Sequence, residues 1–137
     1  MQIHRHPVRV YYEDTDLAGI VYYANYLRFL ERGRSEMVRA AGISQLEMKA
    51  QGLVFAVRRV EADYLRPARF EDELIVETRA TALKGASFDM PQRVLRGADV
   101  LMEARVLVVV LNAEGRATRL PADIRAKLGQ ITADDGV

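Results

Sequence analysis

Tyr12-Glu13-Asp14-Thr15-Asp16-Leu17-Ala18-Gly19-Ile20-Val21-Tyr22-Tyr23-Ala24-Asn25-Tyr26 joins a short alternating stretch to the only long, clearly periodic helix pattern in the chain. Glu13, Asp14 and Asp16 put three carboxylates on the joining loop, Gly19 follows, and an aromatic-rich run opens the helix. A loop carboxylate beside a helix start has two readings. It can act as a base or nucleophile next to unpaired helix-end N–H groups. It can also do no more than cap the helix and favour its dipole, and the local pattern alone favours capping.

Working outward, the spacing predicts a helix from about Ala24 to Ala41. Tyr26, Leu27, Phe29, Leu30, Gly33, Met37, Val38 and Ala41 form one apolar face. Gly33 lies inside that stripe, where glycine costs about 1 kcal/mol relative to alanine. A close approach between helix and sheet would compensate. Gly42 suits the position after the helix end. Ser44 and Glu47 form the capping box of a second short helix ending near Gly52.

Upstream, Val8, Val10 and Tyr12 alternate with Arg9 and Tyr11, predicting a strand over 7–12 that starts at Pro7. His4 and His6 then fall on a mobile N-terminal end. Downstream the period becomes two. Val60, Ala62 and Tyr64 mark a half-buried strand, and Leu74 to Ala82 a second. Ser87 to Arg96 reads as a third, with Pro91 awkward unless it sits at an edge or bulge. Gly97-Ala98-Asp99 is a hairpin turn. Val100 to Leu111 is the longest strand, apolar on both faces in its second half, which predicts a central or interface position. After the turn Asn112–Gly115, a short strand over 116–120 and a terminal helix with Pro121 at its first position are expected, then a frayed tail over 132–137. A strand, a long helix and then strands joined by short turns predict an α+β fold, an antiparallel sheet packed on one helix.

The chain has 137 residues, 50% hydrophobic and 28% charged, which fits one domain spanning 1–137. A net charge of +1 gives no bulk attraction to nucleic acid or to membranes. The absence of cysteine excludes disulfides, thiolate metal sites and a cysteine nucleophile. No His/Asp/Glu set has metal-ligand spacing, so no metal is expected. The N-terminus has no secretory h-region, and the longest apolar run, Val106 to Leu111, is only strand-length. A cytoplasmic protein without membrane insertion is expected.

Val10 to Glu36 resembles the signature of the hotdog-fold acyl-CoA thioesterases, both the Tol-Pal-associated enzymes and the 4-hydroxybenzoyl-CoA thioesterase group. The shared pattern is Asp-x-Asp-x-x-Gly-x-Val, two aromatic or His positions, then x-Asn-Tyr and a helix. A fainter likeness extends to about Leu128. The resemblance implies a sheet wrapped around one long central helix, a homodimer or homotetramer with interfacial sites, and no cofactor. It places the catalytic carboxylate on Asp16 and the oxyanion donor on the backbone N–H of Tyr23. Gly19, Tyr22 and Asn25 fall to the substrate side, Gly19 being equally readable as an ordinary turn glycine. Coenzyme A phosphates and adenine would be met by Lys84, Ser87 and Arg116, in part across subunits. On pattern alone Arg58, Arg59 and Arg66 are further cations, and Tyr12, Tyr22, Tyr26 and Phe55 are aromatics for an acyl pocket or for the core.

Tyr23 stands where many Tol-Pal-associated members carry His and where the 4-hydroxybenzoyl-CoA branch carries Tyr. Catalysis would then rest on Asp16, as nucleophile or general base, with backbone donors, on a short-chain or aromatic acyl-CoA. A hotdog dehydratase would need a His paired with an acid at the site, and the only histidines are His4 and His6. The rival of a different class is a non-catalytic protein of the same fold, binding acyl-CoA or acyl carrier protein or serving as an envelope-associated scaffold.

Overall fold

The computed structural model describes residues 3 to 132. Five antiparallel strands, β1 His4–Arg9, β2 Val54–Tyr64, β3 Glu73–Thr78, β4 Ser87–Arg96 and β5 Asp99–Leu111, form one sheet in the order β1-β3-β4-β5-β2. The long helix α1, Tyr26–Ala40, packs on one face of it. Two shorter helices follow, α2 at Gln45–Ala50 and α3 at Ala122–Ile131.

α1 forms where the 3.6-residue period predicts. It buries Tyr26, Phe29, Leu30, Gly33, Met37 and Val38 against Val76 and Val94 on one side and Met90 and Val106 on the other. Phe29 and Leu30 are fully buried, each contributing about 1.5–3 kcal/mol. Leu27 does not join this face and stays 42% exposed. Gly33 explains itself by proximity. A Cβ there would lie 2.6 Å from Val76 Cγ1 and 3.0 Å from Thr78 Oγ1. Beside it the buried Gln92 amide donates to the Leu30 carbonyl at 2.9 Å and to Thr78 Oγ1 at 3.0 Å, tying helix to sheet.

Several boundaries differ from the sequence expectation. The first strand begins at His4 and ends at Arg9, so His4 and His6 are strand residues and Pro7 lies in mid-strand. Val10 N–H donates to Asp72 C=O, so alternate residues face β3 and Pro7 turns its nitrogen to the free edge, where no ladder bond is lost. β3 stops at Thr78, short of Ala82. Arg79 N–H donates to Pro91 C=O, but Pro91 has no N–H to return, and the pairing resumes in register at Thr81 and Asp89. Pro91 therefore sits inside an internal strand, facing a one-step gap in the ladder.

β2, expected half-buried, is largely exposed: it is an edge strand, met by α1 at Tyr64, whose ring packs edge-on against Tyr26. No strand forms over 116–120. That segment makes one isolated bridge, Leu111 to Ala117, and is held instead by Thr118 N–H to Val110 C=O and Leu120 N–H to Gly85 C=O. Pro121 caps α3 from outside rather than opening it. Ser44 does cap α2, accepting from Glu47 N–H. Of the expected frayed tail, 133–137 lie outside the described residues, while Thr132 is anchored through its hydroxyl to Leu128 C=O.

Candidate active site

The loop between β1 and α1 is built around Asp14. This carboxylate is 8% exposed and accepts Tyr11 N–H at 2.7 Å and the Asn25 side-chain amide at 2.8 Å. Its backbone carbonyl accepts Tyr22 N–H at 2.9 Å. Asp14 therefore ties both ends of the loop together, as a loop-organising carboxylate would. The amide of Asn25 is spent on that task.

Between those anchors the chain folds back on itself. Thr15 bridges Val21, Asp16 N–H donates to Ile20 C=O, and Gly19 N–H donates to Asp16 C=O. Gly19 has φ +78°, and nothing lies within 4 Å of where its Cβ would be. Its conformation demands glycine and its outer side is open. Asp16 stands on this hairpin-like turn, exposed to solvent in the single chain. One oxygen, Oδ1, accepts Ala18 N–H at 2.9 Å. The other has no recorded partner among the described residues.

α1 is preceded by a 3₁₀ turn, Tyr23–Asn25, so the helix entry lies two residues later than expected. Asn25 N–H is satisfied by Tyr22 C=O. Among the described residues no acceptor is recorded for the N–H of Tyr23 or Ala24. Asp16, Tyr22, Ala24 and Asn25 line one open depression of about 430 Å³, together with Glu13, Thr15 and Arg28. Tyr23 is not in its wall. The Tyr23 ring packs edge-on against Tyr64 at 6.2 Å, and the Tyr64 hydroxyl donates to Tyr23 C=O at 2.9 Å. Burial, reinforced by the neighbouring Tyr23 and Tyr26, raises the Tyr64 phenol above its ordinary value, so it remains a donor. Tyr64 and Arg28 are the site residues that the sequence reading missed. Arg28 was a helix-surface charge, and Tyr64 comes from 41 residues away.

The expected coenzyme-binding residues gather elsewhere. Ser87 starts β4 opposite Val109, and Lys84 N–H donates to Ser87 C=O. Arg116 is exposed in the turn closed by Asn112. Val110 connects the two segments, donating to Ala86 C=O and accepting Thr118 N–H. Lys84, Ser87 and Arg116 thus cluster at one end of the sheet. Tyr64, which holds the 3₁₀ turn, pairs with Met102 near the other end of β5. Eight residues of strand separate Met102 from Val110, roughly 26 Å at about 3.3 Å each. One chain does not bring Asp16 and Arg116 together.

Of the aromatics expected around an acyl group, only Tyr22 lines the Asp16 depression. Tyr26 is a core residue whose hydroxyl accepts Ala68 N–H, Tyr12 packs edge-on against Phe70, and Phe55 meets Phe88. Arg59 pairs with Glu61 and Arg66 with Asp99 at the surface. Among the described residues no group of three or more His, Cys, Asp or Glu is placed to hold a metal. No helix among them is long and apolar enough to cross a membrane.

A family model described as the thioesterase-like superfamily matches residues 10–128. The chain is 42% identical over 128 residues to the acyl-CoA thioester hydrolase YbgC of Escherichia coli O6:H1, covering 92% of this chain and 96% of that protein. It is 38% identical over 122 residues to the acyl-CoA thioesterase YbgC of Haemophilus influenzae, covering 88% and 90%. Among solved structures, a probable thioesterase from Bartonella henselae superposes with a TM-score of 0.80 at 41% identity, over 88% of this chain and all (100%) of the other.

Proposed function

The chain belongs to the thioesterase-like superfamily, and from that premise we propose that it hydrolyses the thioester of short-chain or aromatic acyl-CoA. Residues 1–137 act as one hotdog domain. The carrying observation is that Asp16 and the first turn of the helix entry line a single depression, beside two backbone N–H groups, of Tyr23 and Ala24, that have no recorded acceptor among the described residues. The unengaged carboxylate oxygen of Asp16 attacks the acyl carbon, the C–S bond breaks to release coenzyme A thiolate, and water then cleaves the mixed anhydride; or the carboxylate takes a proton from the water that attacks the acyl carbon, and that proton goes to the departing thiolate. The Tyr23 N–H receives the oxyanion. One such preorganised donor is typically worth about 3 kcal/mol in the transition state. Tyr23 offers no imidazole, so its side chain positions and does not transfer protons. Gly19 and Tyr22 flank the acyl group, while Asn25 serves through Asp14.

A second copy of the chain completes the site. Asp16 is open to solvent in one chain, and the Lys84, Ser87 and Arg116 cluster lies at the far end of the sheet. β2 presents an unpaired edge, with Val57 47%, Val60 40% and Tyr64 45% exposed. Covering that surface with a second subunit removes apolar area from water and closes the depression. The assembly is a homodimer or a homotetramer, and acyl carrier protein is a second possible acyl donor.

The test is thiol release from short-chain, long-chain and aromatic acyl-CoAs by the wild type, Asp16→Asn and Asp16→Ala. Loss of an acid–base or nucleophilic carboxylate should lower kcat by about 10²-fold or more. Equal rates in all three proteins remove Asp16 from the mechanism. Absence of turnover on every substrate, with coenzyme A still bound, replaces the enzyme with a binding protein.

A further inference from the structure

One cation lines the Asp16 depression. Arg28 stands in its wall with Asp16, Glu13 and Ala24. Arg28 follows Ala24 by four residues, so the two share a face, roughly 6–7 Å apart along the axis at about 1.5–2 Å per residue. A helical side chain leans back toward the N-terminus. The exposed guanidinium of Arg28 is therefore carried over the turn whose Tyr23 and Ala24 N–H groups have no recorded acceptor among the described residues.

Arg28 is also the unengaged arginine of its helix. α1 carries four arginines. Arg32 lies over the Phe29 ring, Arg34 donates to Gln92 Oε1 and Arg39 pairs with Glu36. Among the described residues no hydrogen bond or ion pair is recorded for Arg28. Glu31, three residues on, would be its ordinary helical partner and accepts the Ser35 hydroxyl instead. Glu13 and Asp16 line the same depression, and neither forms an ion pair with it. Closing the depression with a second subunit takes this cation out of water, which is costly without an anion. The coenzyme phosphates are poorly placed to supply one. The whole pantetheine arm separates them from the thioester, whereas Arg28 and Asp16 share one depression.

We infer that Arg28 selects acyl groups that carry a second carboxylate at the far end of a short chain, that is, coenzyme A monothioesters of dicarboxylic acids. The inference rests on the hydrolysis reading, which puts the thioester between Asp16 and the helix entry. With the carbonyl on the Tyr23 N–H, a short acyl chain running along the outer face of α1 brings its distal carboxylate to Arg28. Guanidinium meets carboxylate through paired N–H donors. Without Arg28 the same carboxylate would meet only Glu13 and Asp16, so the arginine sets the sign of the preference as well as its size.

The experiment compares glutaryl-CoA with valeryl-CoA, equal in chain length and different in the terminal carboxylate. In the wild type, kcat/KM for glutaryl-CoA is expected to exceed that for valeryl-CoA by about tenfold or more, the size of one charge-assisted contact. In Arg28→Gln the ratio should fall below one. In Arg28→Lys, which keeps the charge and loses the fork, it should lie between. The same ratios should appear in equilibrium dialysis of both thioesters against Asp16→Asn, with and without Arg28→Gln. Absence of turnover on both thioesters would sink the hydrolysis reading, and the dialysis ratio then decides for Arg28 by itself. A wild-type ratio of one or less, or a ratio that Arg28→Gln leaves in place, overturns the proposal. If that variant also weakens subunit association in sedimentation equilibrium, Arg28 pairs with a carboxylate of a second copy instead. An equal loss on both coenzyme A thioesters that vanishes for the matching S-acyl pantetheines overturns it too, since Arg28 then meets a phosphate.

Discussion

Replacing Gly33 by alanine sets two known effects against each other with a sign that the structure decides. In an open helix, Gly→Ala stabilises by about 1 kcal/mol. At Gly33 the new methyl would lie 2.6 Å from Val76 Cγ1, 3.0 Å from Thr78 Oγ1 and 3.3 Å from Gln92 Nε2. Val76 and Thr78 are fully buried, at 0% exposure, and Gln92 is 1% exposed, so none can swing away into solvent. Overpacking of this kind costs about 1–3 kcal/mol. Displacing the Gln92 amide from Leu30 C=O and Thr78 adds about 0.5–1.5 kcal/mol for each bond lost. With both bonds lost, subtracting the propensity gain leaves a net loss of about 1–5 kcal/mol. For a chain of this length that is a fall in Tm of about 3 °C for each kcal/mol. Gly129, in α3, is the internal control. Nothing lies within 4 Å of its would-be Cβ, so Gly129→Ala should gain about 1 kcal/mol. Thermal and urea unfolding of both variants, at fixed protein concentration, give the two signs. A Gly33→Ala protein as stable as the wild type, or more stable, would refute the claim that α1 is pressed against β3 and β4 at this point.

Tyr64→Phe keeps the ring against Tyr23 and removes the bond to Tyr23 C=O; it should cost about 0.5–1.5 kcal/mol of stability and lower kcat more than it raises KM in the thiol-release assay, because the 3₁₀ turn that aims the Tyr23 N–H is loosened. Burial works to raise the Asp72 carboxyl, but the Arg69 N–H and the Arg96 guanidinium, bonded at 2.8 and 2.7 Å, outweigh it and hold the group below the ordinary value. A depressed carboxylate contributes stability that is present above its unfolded pKa and is lost as pH falls through the folded value. Wild-type stability should therefore drop below about pH 4 more steeply than that of Asp72→Asn, measured by urea midpoints between pH 2 and 6, and parallel profiles would show that the contact contributes nothing.

The long helix was legible because its period and its glycine agreed: Gly33 in an apolar stripe signals close approach, and Val76 and Thr78 provide it. The Asp14–Asp16 loop was legible as a motif. The pairing of Asn25 with Asp14 was not, since the two meet only when the loop is folded. β1 was misplaced because proline was read as a boundary, whereas a proline whose nitrogen faces a free edge breaks no bond. Alternation in β2 grouped Val60, Ala62 and Tyr64 on one face, but only Ala62 packs against the core while Val60 and Tyr64 stay exposed, because periodicity names a face and does not say what lies over it. Tyr64 and Arg34 depend on contacts between distant segments, for which no local spacing exists.

The two margins of the sheet are not equivalent, and Pro7 is the reason. β1 ends the sheet with a missing donor on its outer side, flanked by Arg5 and Arg9, which blunts it against adding another strand. β2 ends the opposite side with eleven residues of strand and no proline. Joining two copies along β2 would leave a β1 at each extremity, so growth stops there and a closed particle forms in place of a fibre.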